Sequence, residues 1–263
     1  MNIKKNMKKW LFLALILSAV CVETISATRL HSCQTLANAS ATPIRVNAVT
    51  VDNSAIPTVS AADEGTGNRE TVFADGALGM MIEGELNADG LYNNLTLRTP
   101  VFQCSLPGEQ VHNPTYAPWV AEADLNGDGE KEIIVNLTSG YGTGMELNTV
   151  QVFSQNGENI PVESLQTGMA RQFSSSVNGD QLQLKLNGVT HSLPLKGLPE
   201  QPASNKPPVF GGAVQQFKVD NNKLTAIYSL QVGMNGFIGE LDATYQYDNG
   251  VLRLVPAKLN LEQ

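Results

Sequence analysis

Histidine, cysteine and aromatic residues are scarce in this sequence. Its 263 residues include three histidines and three cysteines, and aromatic residues make up 6% of the chain. His31, His112 and His191 are far apart, and no two have the spacing of zinc ligands, which argues against a zinc hydrolase. The sequence also has no Gly-x-Ser-x-Gly elbow, so it does not indicate a serine hydrolase of the usual kind.

No apolar run is long enough to cross a membrane comfortably. The longest, residues 10–22, follows four lysines within residues 4–9, which is the pattern of a secretory signal peptide. The small residues at its end predict cleavage after Ala27. A lipid anchor on Cys21 is the alternative, although Val20 is larger than the residue that usually precedes a lipidated cysteine.

Basic residues are too few to balance the acidic ones. Removing four lysines and one glutamate with the signal peptide from the totals of 17 basic and 25 acidic residues leaves 13 and 24, a net charge of −11. Such a surface repels nucleic acid and anionic lipid. We therefore expect no nucleic-acid partner and no transmembrane segment in the mature chain, and a surface suited to cations and to solubility outside the cell.

A short acidic stretch is the most informative part of the sequence. Residues 124–132 read Asp-Leu-Asn-Gly-Asp-Gly-Glu-Lys-Glu, with oxygen-bearing side chains at the first, third, fifth and ninth positions. Ca²⁺ takes about six to eight oxygen ligands, so a loop that binds it must curl tightly and aim alternate residues at one point. Gly129 permits the sharp bend. The spacing predicts a calcium site formed by the side chains of Asp124, Asn126, Asp128 and Glu132 and the backbone carbonyl of Glu130.

Two other interpretations of this stretch are weaker. An EF-hand needs a glutamate at its twelfth position and a helix on each side, whereas the twelfth position here is Val135, within an apolar strand-like run. An ordinary hairpin turn would also use Asn, Asp and Gly, which tolerate positive φ. Such a turn does not need three carboxylates within nine residues, which repel one another unless a cation lies between them.

The acidic stretch and the strand after it resemble the calcium loop of integrin-type propeller repeats (FG-GAP) and of VCBS-repeat proteins, which carry the ion on a β-hairpin. Residues 113–163 also resemble a group of secreted, single-VCBS-motif proteins of Bacillus and Paenibacillus type. The segments that carry this likeness are residues 113–116, 124–132, 140–144 and 160–163. The resemblance implies calcium and a Gram-positive cell-envelope or secreted location, and it implies no particular activity. Gln151 stands where that group usually has a histidine.

The glycine-rich segment at residues 140–144 is not a phosphate loop. A phosphate loop opens a helix, whereas the residues that follow this one alternate like a strand. We expect a positive-φ turn or a close backbone approach to the acidic hairpin. Tyr141 and Thr143 are candidates for the lining of a ligand groove.

Alternating apolar and polar residues predict an all-β fold. Asp89-Gly90 predicts a hairpin within residues 80–97, and the apolar run at residues 132–137 predicts a central strand buried on both faces. Three antiparallel strands are expected within residues 224–255, and one short helix within residues 163–171. Only one copy of the acidic loop exists, which excludes a full propeller. The predicted fold is a single antiparallel β-sandwich or curled sheet with an FG-GAP/VCBS-like calcium hairpin.

Composition divides the chain into three parts. Residues 1–27 are the predicted signal peptide, and residues 28–67 are a flexible arm rich in small and polar residues, with one strand-like patch at residues 44–49. Residues 68–263 form the predicted all-β domain. Within it, residues 194–208 contain five prolines and form a surface loop or a linker to the last part of the chain.

The sequence leaves two questions open. Cys33 and Cys104 either form one disulfide after export or remain two free thiols. The protein is either a secreted or cell-envelope calcium module with a binding or structural role, or a secreted hydrolase of polysaccharide or peptidoglycan. Glu240 and Asp242, two residues apart on one predicted strand, are the candidate acid and base for the hydrolase. The absence of any other catalytic set favours the calcium module, whose ligand is an unidentified envelope or extracellular molecule.

Overall fold

The computed structural model describes residues 33–36, 69–202, 209–233 and 236–262. The predicted signal peptide, Cys21, His31, the patch at residues 44–49 and part of the proline-rich segment lie outside these ranges. No helix in the described ranges is both long and apolar enough to cross a membrane.

Strands make up most of the described chain. In order they are β1 (Gln34–Thr35), β2 (Arg69–Asp75), β3 (Met80–Leu86), β4 (Leu91–Arg98), β5 (Phe102–Ser105), β6 (Gln110–Val111), β7 (Trp119–Ala123), β8 (Glu132–Gly142), β9 (Met145–Phe153), β10 (Asn159–Ile160), β11 (Phe173–Asn178), β12 (Gln181–Leu186), β13 (Val189–Pro194), β14 (Val209–Asp220), β15 (Lys223–Val232), β16 (Gly236–Asp248) and β17 (Val251–Leu261). One α-helix, α1 (Leu165–Gln172), and two short 3-10 turns, Pro114–Tyr116 and Leu195–Gly197, are the other elements of the described ranges.

The described strands form three sheets. The first has the order β1-β5-β4-β3-β2, with β6 paired to β4. The largest has the order β17-β16-β15-β14-β9-β8-β7, with β10 paired to β9, and we call it the shared sheet. The third is β11-β12-β13. Nearly all neighbours are antiparallel, and the pairing of β14 with β9 is parallel.

The shared sheet borders two hydrophobic cores. The small core joins the first sheet to one side of the shared sheet, and the large core joins β12 and α1 to residues from β8, β9 and β14–β17. Alternate side chains of β8 point in opposite directions, so Ile133 and Val135 enter the small core while Ile134 enters the large one. The prediction that this strand is buried on both faces is confirmed, because residues 132–138 are all buried.

Helix α1 closes one side of the large core. The Ser164 hydroxyl caps its first turn by accepting a hydrogen bond from the Thr167 amide, and Leu165 and Met169 point inward. A Cβ added at Gly168 would overlap the side chain of Leu254, so the glycine permits close packing of the helix on β17. The predicted short helix is therefore present despite its glycine.

The antiparallel all-β fold is confirmed, together with the hairpin around Asp89-Gly90 and the strands within residues 224–255. Within the described ranges the strands form three sheets around two cores, which is more than the single sandwich or curled sheet that was predicted. The large core contains side chains from both sides of the proline-rich segment, among them Leu184 and Leu224. Several strands were not predicted, among them β1, β5, β6 and β14.

Candidate metal centre

The acidic stretch forms the loop of the β7–β8 hairpin. The last pair of the ladder is Ala123 opposite Glu132, which leaves residues 124–131 as the loop. Gly127 and Gly129 have φ values of +80° and +92°, a region that side chains rarely enter. The predicted role of Gly129 in the sharp bend is confirmed.

Asp124 organises the first half of the loop. One of its carboxylate oxygens accepts a hydrogen bond from the Gly127 amide at 2.7 Å, and the other accepts one from the Gly129 amide at 3.1 Å. Asp124 is half-buried. Its carboxylate therefore points into the turn and is partly shielded from solvent.

Asn126 and Asp128 repeat this pattern two residues apart. The Asn126 side-chain oxygen accepts a hydrogen bond from the Asp128 amide at 2.9 Å, and Asp128 Oδ1 accepts one from the Glu130 amide at 2.7 Å. The Asn126 amide group also donates to Asp128 Oδ2 at 2.9 Å. These Asx turns fix the directions of the alternate side chains within the loop.

Glu132 lies at the base of the loop, at the first position of β8. It is 3% exposed, and its Oε2 accepts a hydrogen bond from the Leu125 amide at 2.7 Å. Burial raises the pKa of the Glu132 carboxyl above its usual value, and the nearby charges of Asp128 and Asp124 raise it further, while backbone hydrogen bonds lower it. The Glu132 carboxylate is therefore close enough to Asp124 and Asp128 to be repelled by both.

Basic side chains do not neutralise this charge. Within the described ranges, no ion pair joins Asp124, Asp128 or Glu132 to a lysine or arginine. The ammonium of Lys131 lies instead 3.9 Å from the carboxylate of Glu122, on β7. The loop thus concentrates negative charge beside a buried carboxylate.

Gln155 supports the hairpin from the far end of β9. Its Nε2 donates to the Lys131 carbonyl at 2.6 Å and to Glu122 Oε1 at 3.4 Å. It was not predicted as part of the site. No local pattern marks it, because its position follows from the pairing of β8 with β9 and not from its neighbours in sequence.

The three carboxylates are neighbours but do not meet at one point. Among the described residues, no three His, Cys, Asp or Glu side chains are close enough together to hold an ion by themselves. Each carboxylate has about four lone-pair sites, so the amide hydrogen bonds leave acceptor capacity on all three. Carboxylate, amide and carbonyl oxygens are the ligands that Ca²⁺ prefers, and the loop carries these donor types in the predicted order.

The glycine-rich segment forms the turn of the next hairpin. Strand β8 runs through Gly142, and Gly144 turns the chain into β9 with a φ of +69°. The predicted positive-φ turn is confirmed. Tyr141, 43% exposed, stacks on Tyr116 with ring centroids 4.7 Å apart, a contact that the sequence did not indicate.

The candidate hydrolase pair lies on β16. Glu240 and Asp242 flank the buried Leu241, and Asp242 is exposed. Asp242 Oδ2 accepts a hydrogen bond from Asn260 on β17 at 2.7 Å. The exposure of Asp242 and its hydrogen bond to a neighbouring strand are typical of polar side chains on the solvent-facing side of a sheet.

The two histidines of the described ranges lie on other segments of the chain. His112 packs edge-on against Tyr92, with ring centroids 5.2 Å apart, and His191 is on β13. His112 therefore follows β6 of the first sheet, whereas His191 lies in the third sheet.

Cys33 and Cys104 come together at the edge of the first sheet. Both are free thiols, and their side chains hydrogen-bond to each other. The disulfide itself stays a prediction.

A scan against protein-family models and searches of curated proteins and of solved structures find no match to this chain. The resemblance of the acidic loop to FG-GAP and VCBS repeats thus stays a prediction.

Proposed function

We propose that the chain is an exported calcium-binding β module with a binding or structural role at the cell envelope or outside the cell. One observation supports the proposal above the others. Glu132 is buried beside Asp124 and Asp128, and none of the three has a basic partner within the described ranges. A divalent cation offsets such repulsion and favours the charged form of each carboxylate.

The side-chain oxygens of Asp124, Asn126, Asp128 and Glu132, with the carbonyl of Glu130, would hold the ion. Bound Ca²⁺ would supply positive charge and accept several oxygen ligands at once, whereas the ammonium of Lys131 lies beside Glu122 and not beside these oxygens. Because Asp124 follows β7 and Glu132 begins β8, ligands from both ends of the loop tie the two strands together. An ion that binds only the folded chain at a hundredfold excess over its Kd stabilises it by about 2.7 kcal/mol.

Export rests on the sequence. The basic and apolar segment within residues 1–27 supports a signal peptide, and the acidic composition supports a location outside the cell. A lipid anchor on Cys21 is the alternative form of attachment to the envelope. The ligand of the module is a molecule of the envelope or the extracellular medium.

Calcium titration by calorimetry on chelator-treated protein tests the proposal. We expect saturable binding of one ion per chain, lost in Asp128→Ala and retained in Asp89→Ala. Asp89 is the matched control, because it is an exposed aspartate in the turn of another hairpin, that of β3 and β4. Equal heats in the wild type and in Asp128→Ala, or no heat in either, would contradict the proposed site.

The role of the module requires a separate assay. Purified protein incubated with cell-wall glycans is expected to release no reducing ends. Release that disappears in Glu240→Gln would replace the binding role with the hydrolase, and it would leave the calcium site untouched.

A further inference from the structure

Strand β1 places one cysteine opposite another. Gln34 pairs with Gln103 and Thr35 pairs with Phe102, so continuing the register by one residue puts Cys33 opposite Cys104. This pairing of two sulfurs follows from the strand register and does not depend on the calcium loop.

The hydrogen-bond pattern shows which kind of pair this is. The Leu36 amide donates to the Val101 carbonyl at 2.8 Å, and hydrogen-bonded pairs recur at every second position of an antiparallel ladder. Cys33 and Cys104 therefore occupy a non-hydrogen-bonded pair, where Cα atoms approach to about 4.5 Å. This separation lies within the range of about 4.4–6.8 Å that a disulfide spans.

The two sulfurs are not equivalent. Cys104 is 4% exposed and belongs to the small core, whereas Cys33 is half-buried at the edge. Burial raises the pKa of the Cys33 thiol above its usual value, and the hydrogen bond from Cys104 offsets only part of this rise. The pKa of Cys104 is raised well above its usual range by burial, and its hydrogen bond and proximity to Cys33 raise it further.

We propose that Cys33 and Cys104 form a disulfide by thiol exchange, with Cys33 as the attacking sulfur and Cys104 as the resolving one. The oxidant is a disulfide compound, either small or carried by a protein. The Cys33 thiolate bonds to one sulfur of this oxidant and releases the other as a thiol, which takes up a proton. Cys104 then loses its proton and displaces the second thiol from Cys33. Two protein thiols are oxidised, and one disulfide is reduced to two thiols.

The bond would hold β1 in the sheet. A strand of two residues has too few ladder bonds to stay docked by itself. A covalent link between Cys33 and Cys104 closes a loop that contains β2, β3 and β4, and long closed loops restrict the unfolded chain most. We therefore expect oxidation to raise the Tm by about 5 °C or more.

Oxidised glutathione tests the proposal on the full chain carrying Cys21→Ser, which keeps the two thiols of interest. The expected product is two hydrogens lighter, carries no glutathione and yields a linked Cys33–Cys104 peptide on a non-reducing map. With Cys104→Ser added, glutathione is expected to stay attached at Cys33. With Cys33→Ser added instead, modification is expected to be at least tenfold slower, and both single variants should react at similar rates in urea.

Two results would overturn the proposal. The first is a Cys21→Ser chain that keeps both thiols free under oxidation, and the second is equal rates for the two single variants in the folded state. Circular dichroism checks that the variants fold. If Cys104→Ser does not fold, alkylation of the Cys21→Ser chain shortly after glutathione is added shows which sulfur carries the first adduct. An adduct on Cys104 would contradict the assigned order.

Discussion

Replacing Glu132 by glutamine removes a buried charge at nearly constant size, and it separates the electrostatic role of this side chain from its packing. In chelator, two changes oppose each other. The hydrogen bond from the Leu125 amide becomes a neutral one, which costs about 1 kcal/mol. The substitution also removes a carboxylate that is buried and that repels Asp124 and Asp128, which offsets this loss. We expect the free energy of unfolding to stay within about 1 kcal/mol of the wild type.

In calcium the two proteins should differ clearly. At a hundredfold excess of Ca²⁺ over the wild-type Kd, the wild type gains about 2.7 kcal/mol, or a rise in Tm of roughly 5–10 °C for a chain of this size. If loss of the charged ligand weakens the site by about a hundredfold, the gain in the variant falls to RT ln 2, about 0.4 kcal/mol, which is about 1 °C.

Differential scanning calorimetry in chelator and in calcium measures both quantities. Glu146→Gln is the matched control, because Glu146 is a half-buried glutamate on β9 that accepts side-chain hydrogen bonds from Asn148 and Gln216. This control should keep the full calcium shift. An equal calcium shift in Glu132→Gln and in the wild type would refute the reasoning, as would a loss of several kcal/mol in chelator.

Two further predictions concern stability. A Cβ added at Gly211 would overlap the ring and hydroxyl of Tyr228, so Gly211→Ala should lower the free energy of unfolding, measured in urea, by at least about 2 kcal/mol. A Cβ added at Gly76 meets open space, so Gly76→Ala should lower it by less than about 1 kcal/mol. The Glu163 side chain is 8% exposed and accepts hydrogen bonds from a β17 amide and from Arg171, whose side chain is 49% exposed. Glu163→Ala should therefore lower the free energy of unfolding by about 2–3 kcal/mol, and Arg171→Ala should lower it by about 1 kcal/mol or less. Equal losses would mean that the ion pair, and not the hydrogen bond from the amide, dominates.

Hairpins with a clear turn pair were predictable from sequence. Asp89-Gly90 and Asn249-Gly250 both join antiparallel strands, because their positive-φ residues match the twist of a two-strand ribbon. The acidic loop was predictable for the same reason. Its alternate Asx side chains and its glycines determine a local turn whatever surrounds it.

Features that depend on distant contacts were not predictable. The register of β16 shifts at Ile238, so that residue is buried and Phe237 is only half-buried, opposite to simple alternation. Strand β14 contains Gly211 and a bulge, and its parallel pairing with β9 joins segments about 70 residues apart. The burial of Glu132 likewise comes from packing around β8, which no pattern within the loop encodes.

The alternation of β8 between two cores gives the acidic hairpin an importance beyond its size. A slip of β8 by one residue would exchange its inward and outward side chains, so Ile133 and Ile134 would trade places and both cores would be filled wrongly at once. The turn that fixes Glu132 opposite Ala123 is the nearest element that prevents such a slip. Lengthening or shortening this loop therefore risks misaligning both cores, while the same change in the β12–β13 turn would disturb the third sheet and the one core that β12 enters.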